Sequence, residues 1–187
     1  MTTSYRNFWS MNVDEAIVTG ILRGYFKGDA EIFMPLNSQM KGIDLGISNL
    51  KSKKLLTIQV KGSKAYEPTK KEKQDFVYGS GGWFFIKEEI IRDCPADYFV
   101  FLIYVITEDT KNGRRNLEPH LFTIKPEELY KICKEKKILH KNYSFYIWVN
   151  PKDKKCFDHR DQKQKGIIDL DKYLDEFGLE QIKKEFN

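Results

Sequence analysis

Long hydrophobic runs are missing from this chain of 187 residues, and its first stretch has no apolar core of the kind a secretory signal needs. The expectation is a soluble, cytoplasmic protein with no membrane partner. Cysteine is scarce: Cys94, Cys133 and Cys156 are odd in number, and none stands in CxxC spacing. That argues against a disulfide framework or a cysteine zinc site and fits reduced thiols. His120, His140 and His159 are scattered, and none is singled out for catalysis. There is no internal repeat, low-complexity tract or interdomain linker. A chain of this length supports one hydrophobic core and not two comfortable ones, so a single domain over residues 1–187 is expected. Charge of one sign does not dominate either, since 32 basic against 27 acidic residues leave a net +5. Such a mildly basic, mixed surface permits binding to a phosphate polymer without demanding it.

What is present is an unusual pair of alternating runs, Gly-Ile-Asp-Leu-Gly-Ile and Lys-Leu-Leu-Thr-Ile-Gln-Val-Lys, within residues 42–61. Each has the two-residue period of a half-buried strand, and the polar stretch between them is short enough only for a hairpin. Setting Ile43 opposite Val60 also pairs Leu45 with Ile58 and Ile47 with Leu56, giving one wholly apolar face. The other face then carries Asp44 across from Gln59, with Lys61 two positions further along. A slip of one residue would set Asp44 against Ile58, so the hydrophobic pattern selects the pairing that gathers the polar groups.

A carboxylate, an amide oxygen and an amine on one face are the parts of a hard-cation site. Mg²⁺ takes oxygen ligands, is content with one or two carboxylates, and keeps waters or phosphate oxygens in its other positions. Asp44 would be the principal ligand, with the Gln59 side-chain carbonyl and the Val60 main-chain carbonyl as further donors. Lys61 could hold or deprotonate a water, or neutralise charge on a phosphate in flight. The plainer alternative is the solvated outer face of an ordinary hairpin.

The order Gly-Ile-Asp44, a hairpin's gap, then Gln59-Val-Lys61 resembles the PD-(D/E)XK nuclease superfamily, whose motif is an Asp followed by Asp/Glu-X-Lys on the next strand. With Gln in the second position it resembles the Mrr-type restriction endonucleases, and the upstream helix bearing Glu15 resembles that of archaeal Holliday-junction resolvases. The likeness runs from Asn12 to about Ile106, and two positions depart from it: Ile43 stands where the motif has Pro, and Gln59 where it has an acid. The resemblance implies a restriction-endonuclease-like αβββαβ core with a mixed central sheet, over about residues 12–106, and an α+β elaboration over about 107–187. It also implies a metal-dependent endonuclease, using Mg²⁺ or Mn²⁺ to hydrolyse DNA phosphodiesters. Asp44, Gln59, Lys61 and Glu15 would be catalytic, and Asp44, Gln59, Val60 and Glu15 would be metal ligands. A homodimer would suit cutting of both strands. The alternative is a catalytically silent module of the same fold that binds nucleic acid or a protein.

Around this centre, Val13–Lys27 places Ile17, Val18, Ile21, Leu22, Tyr25 and Phe26 on one helical arc. Glu15 projects inside that arc, either to reach the metal or to close a capping box with Asn12 three residues earlier. Glu31–Leu36 reads as a strand. Lys64, Lys70, Lys71 and Lys73, with Tyr66 among them, form a basic stretch that would suit a nucleic-acid backbone or simply a solvated loop. Residues 79–82, glycine-rich, read as a flexible turn, and Trp83–Arg92 as a helix, although its aromatic run reads equally well as strand. Tyr98–Ile106 has the length and apolarity of a buried fourth core strand. Beyond it the pattern gives a hairpin tip at Asn112-Gly113, a short strand at Leu121–Ile124, a helix after Pro126, a strand over Tyr143–Val149, and a short helix, Leu170–Phe177, stopped by Gly178.

Overall fold

The computed structural model describes residues 12–35, 42–76, 78–109 and 113–186. The aromatic lead-in Met1–Met11, the turn Asn37–Lys41 and the hairpin tip at Asn112 lie outside the described residues. The chain is mixed α/β, and its described elements run α1 (Val13–Phe26), β1 (Glu31–Phe33), β2 (Leu45–Asn49), β3 (Lys54–Gly62), α2 (Lys70–Phe76), β4 (Ser80–Lys87), α3 (Glu88–Arg92) and β5 (Tyr98–Asp109). They continue with β6 (Arg114–Ile124), α4 (Pro126–Cys133), β7 (Ile138–Leu139), β8 (Asn142–Asn150), β9 (Lys155–Asp158), β10 (Ile168–Asp169) and α5 (Asp175–Phe186).

Two five-stranded sheets result, one ordered β1-β2-β3-β5-β6 and the other β10-β9-β8-β4 with β7 also on β8. The first is mixed: β1, β2 and β3 form an antiparallel meander, whereas β5 lies parallel to β3, with Gln59 beside Phe99 and Lys61 beside Phe101. A parallel neighbour requires a crossover, and here the intervening chain leaves for the second sheet, contributes β4, and returns through α3.

The alternation along β5 explains the layering. Tyr98, Val100 and Leu102 enter a core with Val18 and Leu22 of α1 and Leu179 and Ile182 of α5. Phe99, Phe101 and Ile103 enter another with Phe84 and Ile86 of β4 and Phe145 and Ile147 of β8. Successive side chains of a strand point to opposite faces, so a continuous apolar run marks a strand covered on both. The first sheet is thus sandwiched between two helices and the second sheet. The hairpin register follows the hydrophobic pattern, with Leu45 on Ile58 and Ile47 on Leu56. No helix among the described residues is long and apolar enough to cross a membrane, and the three cysteines are free thiols.

Several expectations need correction. Ser80–Lys87 is a strand, where residues 79–82 read as a flexible turn and Trp83–Arg92 as a helix; only Glu88–Arg92 is helical. The apolar residues of β4 have a period of two, with Gly82, Phe84 and Ile86 buried and Trp83 and Phe85 exposed. The basic stretch contains the helix α2, opened by Thr69, whose hydroxyl accepts from the Glu72 amide at 3.2 Å while its own amide donates to the Glu72 carboxylate at 2.8 Å. The short strand at Leu121–Ile124 is the end of the eleven-residue β6.

Gly178 does not stop a helix: α5 runs through it. A Cβ at this position would stand 2.3 Å from the Tyr173 carbonyl oxygen and 3.0 Å from Thr123 Cβ, so glycine is there for close approach of α5 to β6. Gly178→Ala should cost about 1–3 kcal/mol through overpacking against main chain, read as a thermal midpoint several degrees lower. An unchanged midpoint would show that α5 has room to shift.

Candidate active site

The Asp44–Gln59–Lys61 cluster is built where β2 begins. Asp44 precedes β2, and its amide donates to the Ile58 carbonyl at 2.8 Å although Ile58 pairs with Leu45. Two residues therefore address one, the arrangement of a bulge. Asp44 is accordingly not squarely across from Gln59, as simple alternation predicts. Its carboxylate turns to the β3 main chain, where Oδ2 accepts the Val60 amide at 2.7 Å. The carboxylate takes the place that one more residue of β2 would have filled. In a strand, N–H and C=O of one residue point to the same side, so the Val60 carbonyl faces the same edge as Asp44. Among the described residues Asp44 Oδ1 has no hydrogen bond.

Glu15 reaches this edge because of how α1 docks. Gly62, directly after Lys61, offers no side chain, and a Cβ there would lie 1.8 Å from Asp14 Oδ2. The first turn of α1 thus rests on the end of β3, and Tyr104 of β5 donates its hydroxyl to Asp14 Oδ1 at 3.2 Å. Glu15 follows Asp14, and its carboxyl is held above the usual carboxylate range, first by burial and then by the Asp44 charge, against the lowering effect of a bond from the Asn12 amide. The Asn12 side chain in turn accepts the Asp14 amide at 3.2 Å. The capping box and the approach to Asp44 therefore coexist, and one carboxylate serves both.

Gln59 is buried, 7% exposed. Its Oε1 accepts the Cys94 thiol at 3.6 Å, and its Nε2 lies beneath Gly42, which itself abuts Pro95. It is thus braced from below, and its amide oxygen, which has two lone pairs, keeps one beyond the bond from Cys94. Cys94 carries no part in the sequence reading. Its thiol is raised above the ordinary range chiefly by burial, and it feels both the Lys61 ammonium and the Asp44 carboxylate. Lys61 is half-buried, and among the described residues it makes no ion pair. Its ammonium is near enough to act on the Cys94 thiol, as the Asp44 carboxylate also does, and Lys61 follows by one residue the Val60 amide that Asp44 accepts.

The basic residues behave differently. Lys64, Lys70, Lys71 and Lys73 are exposed, and Lys73 is already paired with Glu67 at 3.7 Å. Lys64 lies three residues beyond Lys61, whereas Lys70, Lys71 and Lys73 sit on α2, which packs through Phe76 on Trp148 and Phe157 of the second sheet. Among the described residues no three His, Cys, Asp or Glu side chains gather as a metal-holding group. The acids of the site are two, Asp44 and Glu15, and a cavity lined by Cys94, Pro95 and Asp97 opens beside the residues that pack under it. Asp14, Gly62 and Cys94 were missed by sequence reasoning; a glycine directly after the lysine was the signal available for the first two. Comparison with protein-family models, curated proteins and solved structures found no match to this chain.

Proposed function

We propose that the chain is a metal-dependent endonuclease that hydrolyses DNA phosphodiester bonds, on a restriction-endonuclease-like αβββαβ core formed by α1, the β1–β2–β3 meander, α3 and β5, with α2 and β4 inserted before α3. What supports the reading above all is the approach of Glu15 to Asp44 at the end of β3 where Asp44 accepts the Val60 amide. Lys61 lies on the same strand, in no ion pair among the described residues, and both it and Asp44 act on Cys94. Two carboxylates and a main-chain carbonyl suit Mg²⁺ or Mn²⁺, which leave their remaining positions to water and phosphate oxygens. The chemistry such an ion supplies is polarisation of the phosphate and a more acidic water. Asp44 and Glu15 would hold it, with the Val60 carbonyl on the same edge. Lys61 orients the water and steadies charge developing on the phosphate. Gln59 holds Cys94 and the chain around Gly42 in place beneath them.

Purified protein incubated with supercoiled plasmid should nick or linearise it with Mg²⁺ or Mn²⁺ and not with EDTA. Cleavage that survives both EDTA and Asp44→Ala would point to another site or to a contaminant.

Glu15 gives a separate test. Its raised carboxyl means that the folded chain binds this proton more tightly than the unfolded one. Keeping the group ionised above its folded pKa therefore costs stability, and the cost is relieved as pH falls through that value. Glu15→Gln keeps an acceptor for the Asn12 amide but removes the charge. At neutral pH without metal the variant should melt at or above the native temperature, and the upward shift that Mn²⁺ gives the native protein should be lost. A lower midpoint with the Mn²⁺ shift intact would assign Glu15 to the cap alone.

A silent module of the same fold is the second reading, favoured by Gln59: an acid is replaced by an amide whose oxygen is already bonded to Cys94. Binding of DNA with no cleavage under either metal would select it.

A further inference from the structure

Two large aromatic side chains on β4 point away from both cores. Trp83 is 44% and Phe85 57% exposed, whereas Phe84 and Ile86 between and beyond them are buried. Trp83 is held firmly for a surface residue. Its indole N–H donates to Ser144 Oγ at 3.0 Å, its amide to Ser63 Oγ at 2.8 Å, and the Arg160 guanidinium lies 5.0 Å from its ring centroid. Tyr66 flanks it, ring centroids 6.4 Å apart. A ring fixed at its nitrogen and backbone, with Arg160 over it and Tyr66 at a flank, yet still 44% exposed, loses little freedom when something stacks on its exposed part.

We infer that Trp83 and Phe85 form a stacking platform for unpaired bases, so that the substrate class is single-stranded or locally unpaired nucleic acid; this rests on the nuclease reading above. Residues i and i+2 of a strand stand about 6.6 Å apart on one face, roughly twice the 3.4 Å rise between stacked bases. Each ring can therefore take one base of a strand whose bases have been separated. Paired bases within a duplex present no free face, and recognition by stacking requires that they be unstacked. Charge agrees with a polyanion more than with an apolar protein partner. Arg160 lies over Trp83, Lys64 is exposed beside Ser63, and the nearby Glu67 is already neutralised by Lys73 and Arg115 at 3.7 and 3.3 Å. Ser63 connects platform to reaction centre, since it follows Lys61 by two residues and grips the Trp83 backbone.

Fluorescence anisotropy with a labelled oligo(dT) of about 12 nucleotides, and with a duplex of equal length, tests the proposal in EDTA, where the metal-dependent reaction is off. The native protein should prefer the single strand. Trp83→Ala and Phe85→Ala should each weaken that binding about five- to hundredfold, with unchanged melting temperatures, and Trp83→Phe should keep most of it. Native-like binding by both alanine variants, or preference for duplex, overturns the platform. So does absence of oligonucleotide binding with a native dimer that Phe85→Ala dissociates, which would mark the face as self-associating. The two readings fail separately. Binding without any plasmid cleavage sinks the hydrolase and leaves the platform, whereas cleavage with unaltered binding in both alanine variants sinks the platform alone.

Discussion

Asp158→Ala should lower the stability of the fold by about 3–5 kcal/mol, the cost of leaving one partner of a buried ion pair alone. Both side chains of the Lys136–Asp158 pair are fully buried. The ammonium bonds Asp158 Oδ2 and the Arg160 carbonyl, and it lies 4.9 Å from the centroid of the Phe145 ring. The other carboxylate oxygen accepts the Tyr146 and Arg160 amides, each at 3.1 Å. Burial pushes the Asp158 carboxyl up from its ordinary value, against the pull of Lys136 and the two amides. Removal of the carboxylate strands a cation and two donors in the interior, none of which water can reach without opening the second sheet. Asp158→Asn with Lys136→Met keeps an acceptor for the amides and removes the charge, and should be more stable than Asp158→Ala. Denaturant midpoints at constant slope measure both. A loss below about 1 kcal/mol in Asp158→Ala would mean that the pair is hydrated in solution.

The second large effect separates the roles of Asp44 and Lys61. Asp44→Asn should abolish plasmid cleavage, a loss of about a thousandfold or more if an ion contributes several kcal/mol to the transition state. It should also abolish Mn²⁺ binding measured by calorimetry. Lys61→Met should lose cleavage to a comparable degree yet keep Mn²⁺ binding, because the proposed role of the amine is on water and phosphate and removing a cation does not weaken the hold of nearby carboxylates on another. Mn²⁺ binding lost equally in both variants would make Lys61 a structural support of the acid pair. Full cleavage in either would move the reaction centre elsewhere.

The parts legible in the sequence are those dictated by local pattern. Alternation in two adjacent runs sets the hairpin register, because any slip exposes Leu45 and Ile58. The apolar arc of α1 and the continuous run of β5 are equally local signals. What escaped reading depends on distant neighbours. The aromatic run Trp83-Phe-Phe-Ile becomes a strand because Phe84 pairs with Phe145, some sixty residues on, and nothing nearby decides between strand and helix. Gly178 looks like a helix stop until Tyr173 and Thr123 are seen against it. At the site, the pattern placed Asp44 and Gln59 together but could not show the bulge that turns Asp44 onto the Val60 amide, nor Cys94 bonded to the Gln59 oxygen.

The path of the chain between β3 and β5 carries a consequence for dissection. The excursion that joins two parallel neighbours of one sheet donates a strand to the other, and that strand finds its partner, β8, only near residue 142 and beyond. A nascent chain that has completed the helix, the meander and β5 still holds a naked row of amides and aromatic rings on β4, ready to add to any free edge it meets. The N-terminal half and the C-terminal half are therefore stitched through one another, and a fragment ending near residue 106 would be expected to aggregate before it could be assayed.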